Sequence, residues 1–210
     1  MKFDFTNLPD NLYVELKPKF RKYLFKKLGR NVNKISCYPN DLGCLISSFY
    51  NYRNGKTFIP IKILRQIIHK CNLKNHSINN QISRVKIFKG TPVKLKLPIE
   101  ANSELATIVG HLLGDGHMDK SGRISYVNKR PELIKNFTQI LRKYFESENR
   151  AIKRIKSNAY EIRFPAVIGV ILKPFGIIQG SKTLKEYDIP KWIKNGNNEI
   201  KNYKKSFQNW

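Results

Sequence analysis

The residue of this chain best suited to do chemistry is Asp115, because of what surrounds it in the run Glu104-Leu-Ala-Thr-Ile-Val-Gly-His-Leu-Leu-Gly-Asp-Gly116. Leu105, Ile108, Val109, Leu112 and Leu113 recur at spacings of three and four, which makes one apolar face of an α-helix. Ala106, Gly110 and Gly114 lie four residues apart, so a second stripe carries almost no side chain. Each mid-helix glycine costs about 1 kcal/mol relative to alanine, and close approach of another helix along that stripe is a sufficient reason for it. The run predicts a helix that stops at Gly116, with Asp115 in its last turn. A carboxylate there faces the negative end of the helix dipole, an unfavourable place for a lone anion. A divalent cation reverses that sign, and hard cations such as Mg²⁺ take carboxylate oxygen. The element therefore reads as a packing helix that delivers one metal-binding acid.

The nine residues Ile108 to Gly116 resemble the LAGLIDADG signature of homing endonucleases, matching at Gly110 and at Asp115-Gly116 with an apolar pattern between. The resemblance implies sequence-specific DNA hydrolysis at a long target site. It also implies that the helix packs against a counterpart through Ala106, Gly110 and Gly114. Two terminal aspartates would then share divalent metal, Mg²⁺, at the scissile phosphates, with Gly114 and Asp115 at the metal. The plain alternative is a core helix that ends in Asp-Gly.

The elements downstream follow in a matching order. Residues 117–129 predict two short strands around a Lys120-Ser-Gly122 turn, and Pro131 opens a helix with Leu133, Ile134, Phe137, Ile140, Leu141, Tyr144 and Phe145 on one face. Residues 151–157 and 160–164 predict a second hairpin around Asn158, and Pro165 starts a further helix that Pro174 closes. The order is αββαββα, the unit of that family, so the expected fold is α+β: an antiparallel saddle sheet backed by helices, over residues 96–210. Arg123, Ser125, Lys129, Arg130, Lys153, Arg154, Lys156 and Arg163 are the candidates for a DNA-binding face, phosphate contacts positioning the protein and a few side chains specifying sequence. The segment 176–185 resembles the one that brings a lysine to the family's active site, with Lys182 the first candidate and Lys185 the second. His111 and His117 read as structural or DNA-facing groups, not as a general base.

Charge supports a polyanionic partner. The 210 residues carry 40 basic and 15 acidic side chains, a net +25. Residues 1–100 contribute +15 and residues 101–210 contribute +10, so both halves are basic. Such a field attracts phosphate backbones in a salt-sensitive way. No stretch has the ~18 uncharged apolar residues of a membrane-spanning helix. The start Met1-Lys-Phe-Asp-Phe-Thr does not resemble a signal peptide. Cys37, Cys44 and Cys71 form no Cys-x-x-Cys pair, and a reducing, cytoplasmic compartment is expected.

Residues 1–95 are expected to form a small all-α DNA-binding domain with a connector. Leu12 to Gly29 reads as a basic, partly amphipathic helix. Residues 41–68 resemble the helix-turn-helix of phage-repressor-type DNA-binding domains, with Ser47, Ser48, Tyr50, Asn51 and Arg53 exposed on the second helix and Phe49 and Tyr52 turned inward. Hydroxyl, amide and guanidinium groups so placed can contact base edges and phosphates in a major groove. Gly43-Cys44-Leu45 is a weak turn signal and the first helix is indistinct; a plain three-helix bundle is the alternative. Asn54-Gly55 makes the next turn and Pro60 opens a helix.

Only one copy of the signature is present, and one acid cannot build a paired site. The reading therefore requires a homodimer, and its symmetry favours a palindromic target in double-stranded DNA. The competing class is a non-cleaving relative on the same scaffold, either a transcriptional regulator or an intron-RNA splicing cofactor, or else a truncated inactive relic.

Overall fold

Proline and period-two alternation decide how the amino-terminal elements form. The computed structural model describes residues 2–30, 38–146, 152–155, 158–180 and 188–196. Its elements begin with β1 (Lys2–Phe3), β2 (Leu12–Leu16), α1 (Pro18–Arg30), α2 (Tyr38–Asp41), α3 (Ile46–Asn54), β3 (Ile59–Pro60) and α4 (Ile61–Lys70). Then come β4 (Ile82–Ile87), β5 (Lys94–Leu95), β6 (Ile99–Glu100), α5 (Ser103–Gly114), β7 (Gly116–Met118), β8 (Ile124–Asn128) and α6 (Pro131–Arg142). The last are β9 (Phe145–Glu146), β10 (Lys153–Arg154), β11 (Tyr160–Phe164), α7 (Ala166–Leu172) and α8 (Lys191–Lys194). The chain is α+β with antiparallel sheets. It divides into two compact units, Phe3–Pro98, and Ile99–Trp210 with Met1–Lys2.

The amino-terminal unit is not all-helical. β2 pairs antiparallel with β3 and β4 in a three-stranded sheet of order β3-β2-β4. Leu12, Val14 and Leu16 are buried and Tyr13 and Glu15 alternate with them. The expected helix from Leu12 therefore starts only at Pro18, whose fixed φ and missing N–H suit a first turn and break an interior one. Ile82–Ile87, which falls within the expected connector, becomes a strand because Val85 and Ile82 sit opposite Val14 and Leu16. Ile61, Leu64, Ile67 and Ile68 of α4 are buried, and Phe25 of α1 meets Phe49 of α3 edge-on at 5.5 Å. The turn between α2 and α3 is stronger than its sequence signal: Gly43 takes φ 63°, open to glycine without steric cost. Gly55, at φ 71°, closes α3 by donating its N–H to the Asn51 and Tyr52 carbonyls.

In the second unit the four-stranded sheet has the order β10-β11-β8-β7, every pair antiparallel. Along the chain α5 precedes β7 and β8, α6 follows, and α7 comes after β10 and β11; the two-residue β9 lies after α6. Tyr126, Ile162 and Phe164 are buried on one face of the sheet, where the Phe137 ring of α6 lies 4.6 Å from Tyr126 and 5.7 Å from Phe164. Cross-strand register puts His117, Ser125 and Arg163 in one row of the opposite face and Val127, Glu161 and Lys153 in the next. No helix of the described residues is long and apolar enough to cross a membrane.

Candidate metal and nucleic-acid site

α5 positions Asp115. Its first turn is capped by Asn102, whose Oδ1 accepts the Leu105 N–H at 2.9 Å and the Tyr144 hydroxyl at 2.8 Å. Leu105 to Gly110, Leu112 and Leu113 are buried, which anchors the helix along most of its length. It ends at Gly114, earlier than expected, and Asp115 is its cap residue, with φ −93° and ψ 1°. The Asp115 N–H donates to the His111 carbonyl at 3.1 Å, and its own carbonyl accepts from Val127 at 3.3 Å. Gly116 starts a strand and does not terminate the helix. Close approach demands the glycine: a Cβ there would lie 2.6 Å from Leu112 Cα and 2.9 Å from its carbonyl oxygen.

The exposed Asp115 carboxylate accepts a hydrogen bond from Asn128 Nδ2 at 2.7 Å. Asn128 Oδ1 accepts the Arg130 N–H at 2.8 Å. A backbone N–H can only donate, so the amide oxygen must face Arg130 and the amide nitrogen must face Asp115. The β7–β8 hairpin thus holds the acid in one orientation. Around it opens a cleft of about 500 Å³ lined by Asp115, Asn128, Lys129, Arg130, Leu133 and Ala159. Two cations beside one carboxylate suit an anionic ligand such as a phosphodiester.

Behind the acid, His111 Nδ1 lies 2.8 Å from the Tyr126 hydroxyl, with ring centroids 5.2 Å apart and Phe137 5.7 Å from His111. Burial holds the His111 imidazole below its ordinary value, against the pull of the Asp115 charge. Burial also pushes the Tyr126 hydroxyl up to about 12, and the Asp115 charge adds to that shift. Both groups are therefore neutral near pH 7 and serve as a packed support for the acid.

A hard cation fits Asp115 by donor type, since Mg²⁺ is held by one or two carboxylates with water and substrate phosphate completing its shell. Among the described residues no group of three or more His, Cys, Asp or Glu could hold a metal ion. The smooth stripe does not lie open for a second copy: Ala106 and Gly110 are already buried within the chain. Gly114 is exposed, with nothing within 4 Å of a Cβ placed there. The stripe is a core contact over two of its three positions.

The remaining candidates are dispersed. Lys129 and Arg130 line the Asp115 cleft, while Ser125, Lys153 and Arg163 share the sheet's other face. Glu161 on that face takes up the Arg163 guanidinium at 2.9 Å. Arg123 is exposed next to Gly122 in the β7–β8 turn, where Asp119 accepts the Ser121 and Arg123 N–H groups. Arg154 turns into its own hairpin and donates to Asn158 Oδ1 at 3.1 Å. Lys156, Lys182 and Lys185 lie outside the described residues. On α3, Ser47, Tyr50 and Arg53 are exposed and Ser48 and Asn51 half-buried, with Phe49 2% exposed. Sequence reasoning did not single out Asn128 or Glu161 as site residues; the strand pairing brings both into view.

No family model matches the chain. It is similar to the DNA-directed RNA polymerase subunit Rpo1N of Methanocaldococcus jannaschii, 27% identical over 188 residues, which is 80% of this chain and 13% of that protein. It is similar to the glutamine–fructose-6-phosphate aminotransferase of the same organism, 25% identical over 155 residues, 71% of this chain and 14% of that protein. The replication factor C small subunit of that organism matches at 34% identity over 110 residues, 46% of this chain and 6% of that protein. The chain thus spans 14% or less of each of these relatives.

Proposed function

We propose that the chain is a sequence-specific, divalent-metal-dependent DNA endonuclease of the homing type, with the LAGLIDADG arrangement of helices and sheet. The observation that carries the reading is Asp115, held at the end of a buried helix by Asn128 in an open cleft with Lys129 and Arg130. The order of elements and the antiparallel sheet support it.

Asp115, with the neighbouring Gly114, would hold the cation, Mg²⁺ being the natural choice. When bound, the cation supplies charge neutralisation at the phosphate and a water of lowered pKa. Asn128 keeps the carboxylate oriented, and Lys129 and Arg130 offset phosphate charge. Lys182 remains the candidate for a further cation at the reacting phosphate. A second copy would bring the second acid through its Gly114–Asp115 end. Ser47, Tyr50 and Arg53, with Ser48 and Asn51 beside them, would add contacts to double-stranded DNA from the amino-terminal unit, in a cytoplasmic setting.

The burial of Ala106 and Gly110 favours a second reading, a non-cleaving binder of DNA or intron RNA, because it restricts how a partner helix can approach. A randomised-target plasmid library incubated with Mg²⁺, beside an EDTA control, separates the two. Metal-dependent cuts at one recurring sequence are expected, and Asp115→Asn should abolish them with binding changed less than about twofold. Loss of binding as large as the loss of cleavage would count against that role of Asp115, and tight binding by the folded dimer without cuts would favour the binder.

A further inference from the structure

The amino-terminal sheet presents a face that its own core does not use. The buried residues Val14, Val85 and Ile59 pair across β3-β2-β4, so their alternating neighbours lie together on the other side. By that register Tyr13 stands opposite Lys86 and Glu15 opposite Arg84. Phe58 precedes β3 and carries the Arg84 guanidinium 5.6 Å and the Lys86 ammonium 4.8 Å from its ring centroid. Phe88 follows β4 and is 67% exposed, its ring 6.0 Å from Tyr13 and 5.5 Å from the Lys89 ammonium.

Gly90 donates its N–H to the Ile87 carbonyl at 3.0 Å, and Lys89 takes φ 55°, so a tight turn sets the backbone at Phe88 where β4 ends. The face also hides its acid. Glu15 accepts Arg84 Nε at 2.7 Å and Arg84 Nη2 at 2.8 Å, and the Ser83 hydroxyl at 2.8 Å. What remains is three aromatic rings interleaved with Lys86 and Lys89.

We infer that this face binds single-stranded nucleic acid, bases stacking on Phe88 and its neighbours while Lys86 and Lys89 meet the phosphates. Rings and cations do separable things. Cations attract any phosphate backbone, duplex or single-stranded. Aromatic rings gain only where bases are unpaired and free to stack, and that contact is sequence-tolerant. A duplex keeps its bases stacked on each other and leaves Phe88 without a partner. Its residues belong to the unit Phe3–Pro98, which does not contain Asp115, and binding there needs no cleavage.

The test is fluorescence anisotropy in EDTA with labelled dT and U oligonucleotides of about 12 nucleotides and a duplex of equal length. Phe88→Ala removes no charge and its side chain is exposed, so the fold and the salt dependence should persist. Single-strand affinity should fall roughly 5- to 100-fold and duplex affinity less than twofold, with Phe88→Trp restoring the loss. Preference for dT or U tells whether DNA or RNA is the source of the unpaired bases. Because the basic second unit also attracts phosphate, a 5-iodouracil strand is photo-crosslinked in parallel, and adducts are expected on peptides with Tyr13, Phe58 or Phe88. Equal loss for strand and duplex, no loss at all, or crosslinks confined to residues 99–180 would overturn the inference. None of these outcomes bears on Asp115, which the EDTA condition silences.

Discussion

Replacing Asn128 with aspartate tests the positioning of Asp115 most directly, since the side chain keeps its shape and changes one hydrogen-bonding group. Asn128 Oδ1 receives the Arg130 N–H, and a carboxylate oxygen receives it equally well. The other terminus now faces Asp115 without a proton to donate, so the 2.7 Å hydrogen bond is lost. Hydrogen bonds to charged groups are worth about 1.5–3 kcal/mol, and the exposure of Asp115 puts this one near the low end. Two carboxylates about 4 Å apart repel by a further ~1 kcal/mol in water. In EDTA the variant should therefore be less stable than the wild type by about 2.5 kcal/mol, the lost hydrogen bond and the repulsion together. Mg²⁺ should reverse that order, because the same two carboxylates form a better cation site than Asp115 alone. Asn128→Ala separates the two effects: it removes the donor and adds no charge, so cleavage should slow about tenfold for ~1.4 kcal/mol while the response to Mg²⁺ stays that of the wild type. Thermal melts with Mg²⁺ and with EDTA, paired with single-turnover cleavage, read both. If Asn128→Asp shows no larger Mg²⁺ stabilisation than the wild type and Asn128→Ala cleaves at full rate, Asn128 does not organise the acid.

Other outcomes follow from the same contacts. Folded His111 binds its proton more weakly than the ordinary value of 6.5, so the unfolded chain protonates first as pH falls; stability is full above about pH 6.5 and declines below it until folded His111 itself titrates. Urea melts from pH 7.5 to 5.5 should show that slope flattened in His111→Gln, and an unchanged slope would mean that another group sets it. Phe137→Ala, at a fully buried ring touching His111, Tyr126 and Phe164, should cost about 3–5 kcal/mol; a loss under 1 kcal/mol in denaturant titration would contradict the packing described. Gly116→Ala should destabilise by about 1–3 kcal/mol through collision with Leu112. Gly114→Ala, with open space around it, should be neutral or gain up to about 1 kcal/mol, and the reverse ranking would refute the close-approach account of Gly116.

What the sequence made legible was the set of elements that bury a periodic face. α5, α6 and the β7–β8 hairpin carry runs long enough for one period to stand out, and their burial follows those runs. β2 was lost to a competing signal: its three buried residues, Leu12, Val14 and Leu16, sit just before a basic helix, and only Pro18 separates the two patterns. Its partner β4 lies some 70 residues away, and no local period reports a pairing at that separation. The aromatic face of that sheet was invisible for the same reason.

Asn128 is a different case, because hairpin arithmetic could have found it. With Met118 opposite Ile124 and Gly116 opposite Tyr126, each step back along β7 is a step forward along β8, so Asn128 comes level with the end of α5. Among the described residues, what orients Asp115 is therefore local to one helix and one hairpin. The second acid is not, and the chain covers Ala106 and Gly110, the positions along which a partner helix would have to slide. The nuclease reading consequently rests on whether two copies can meet at Gly114 alone. Sedimentation of the protein on a palindromic duplex should give two chains per DNA. One chain per DNA, with Asp115 still oriented by Asn128, would leave a well-built acid with no partner and would decide for the non-cleaving binder.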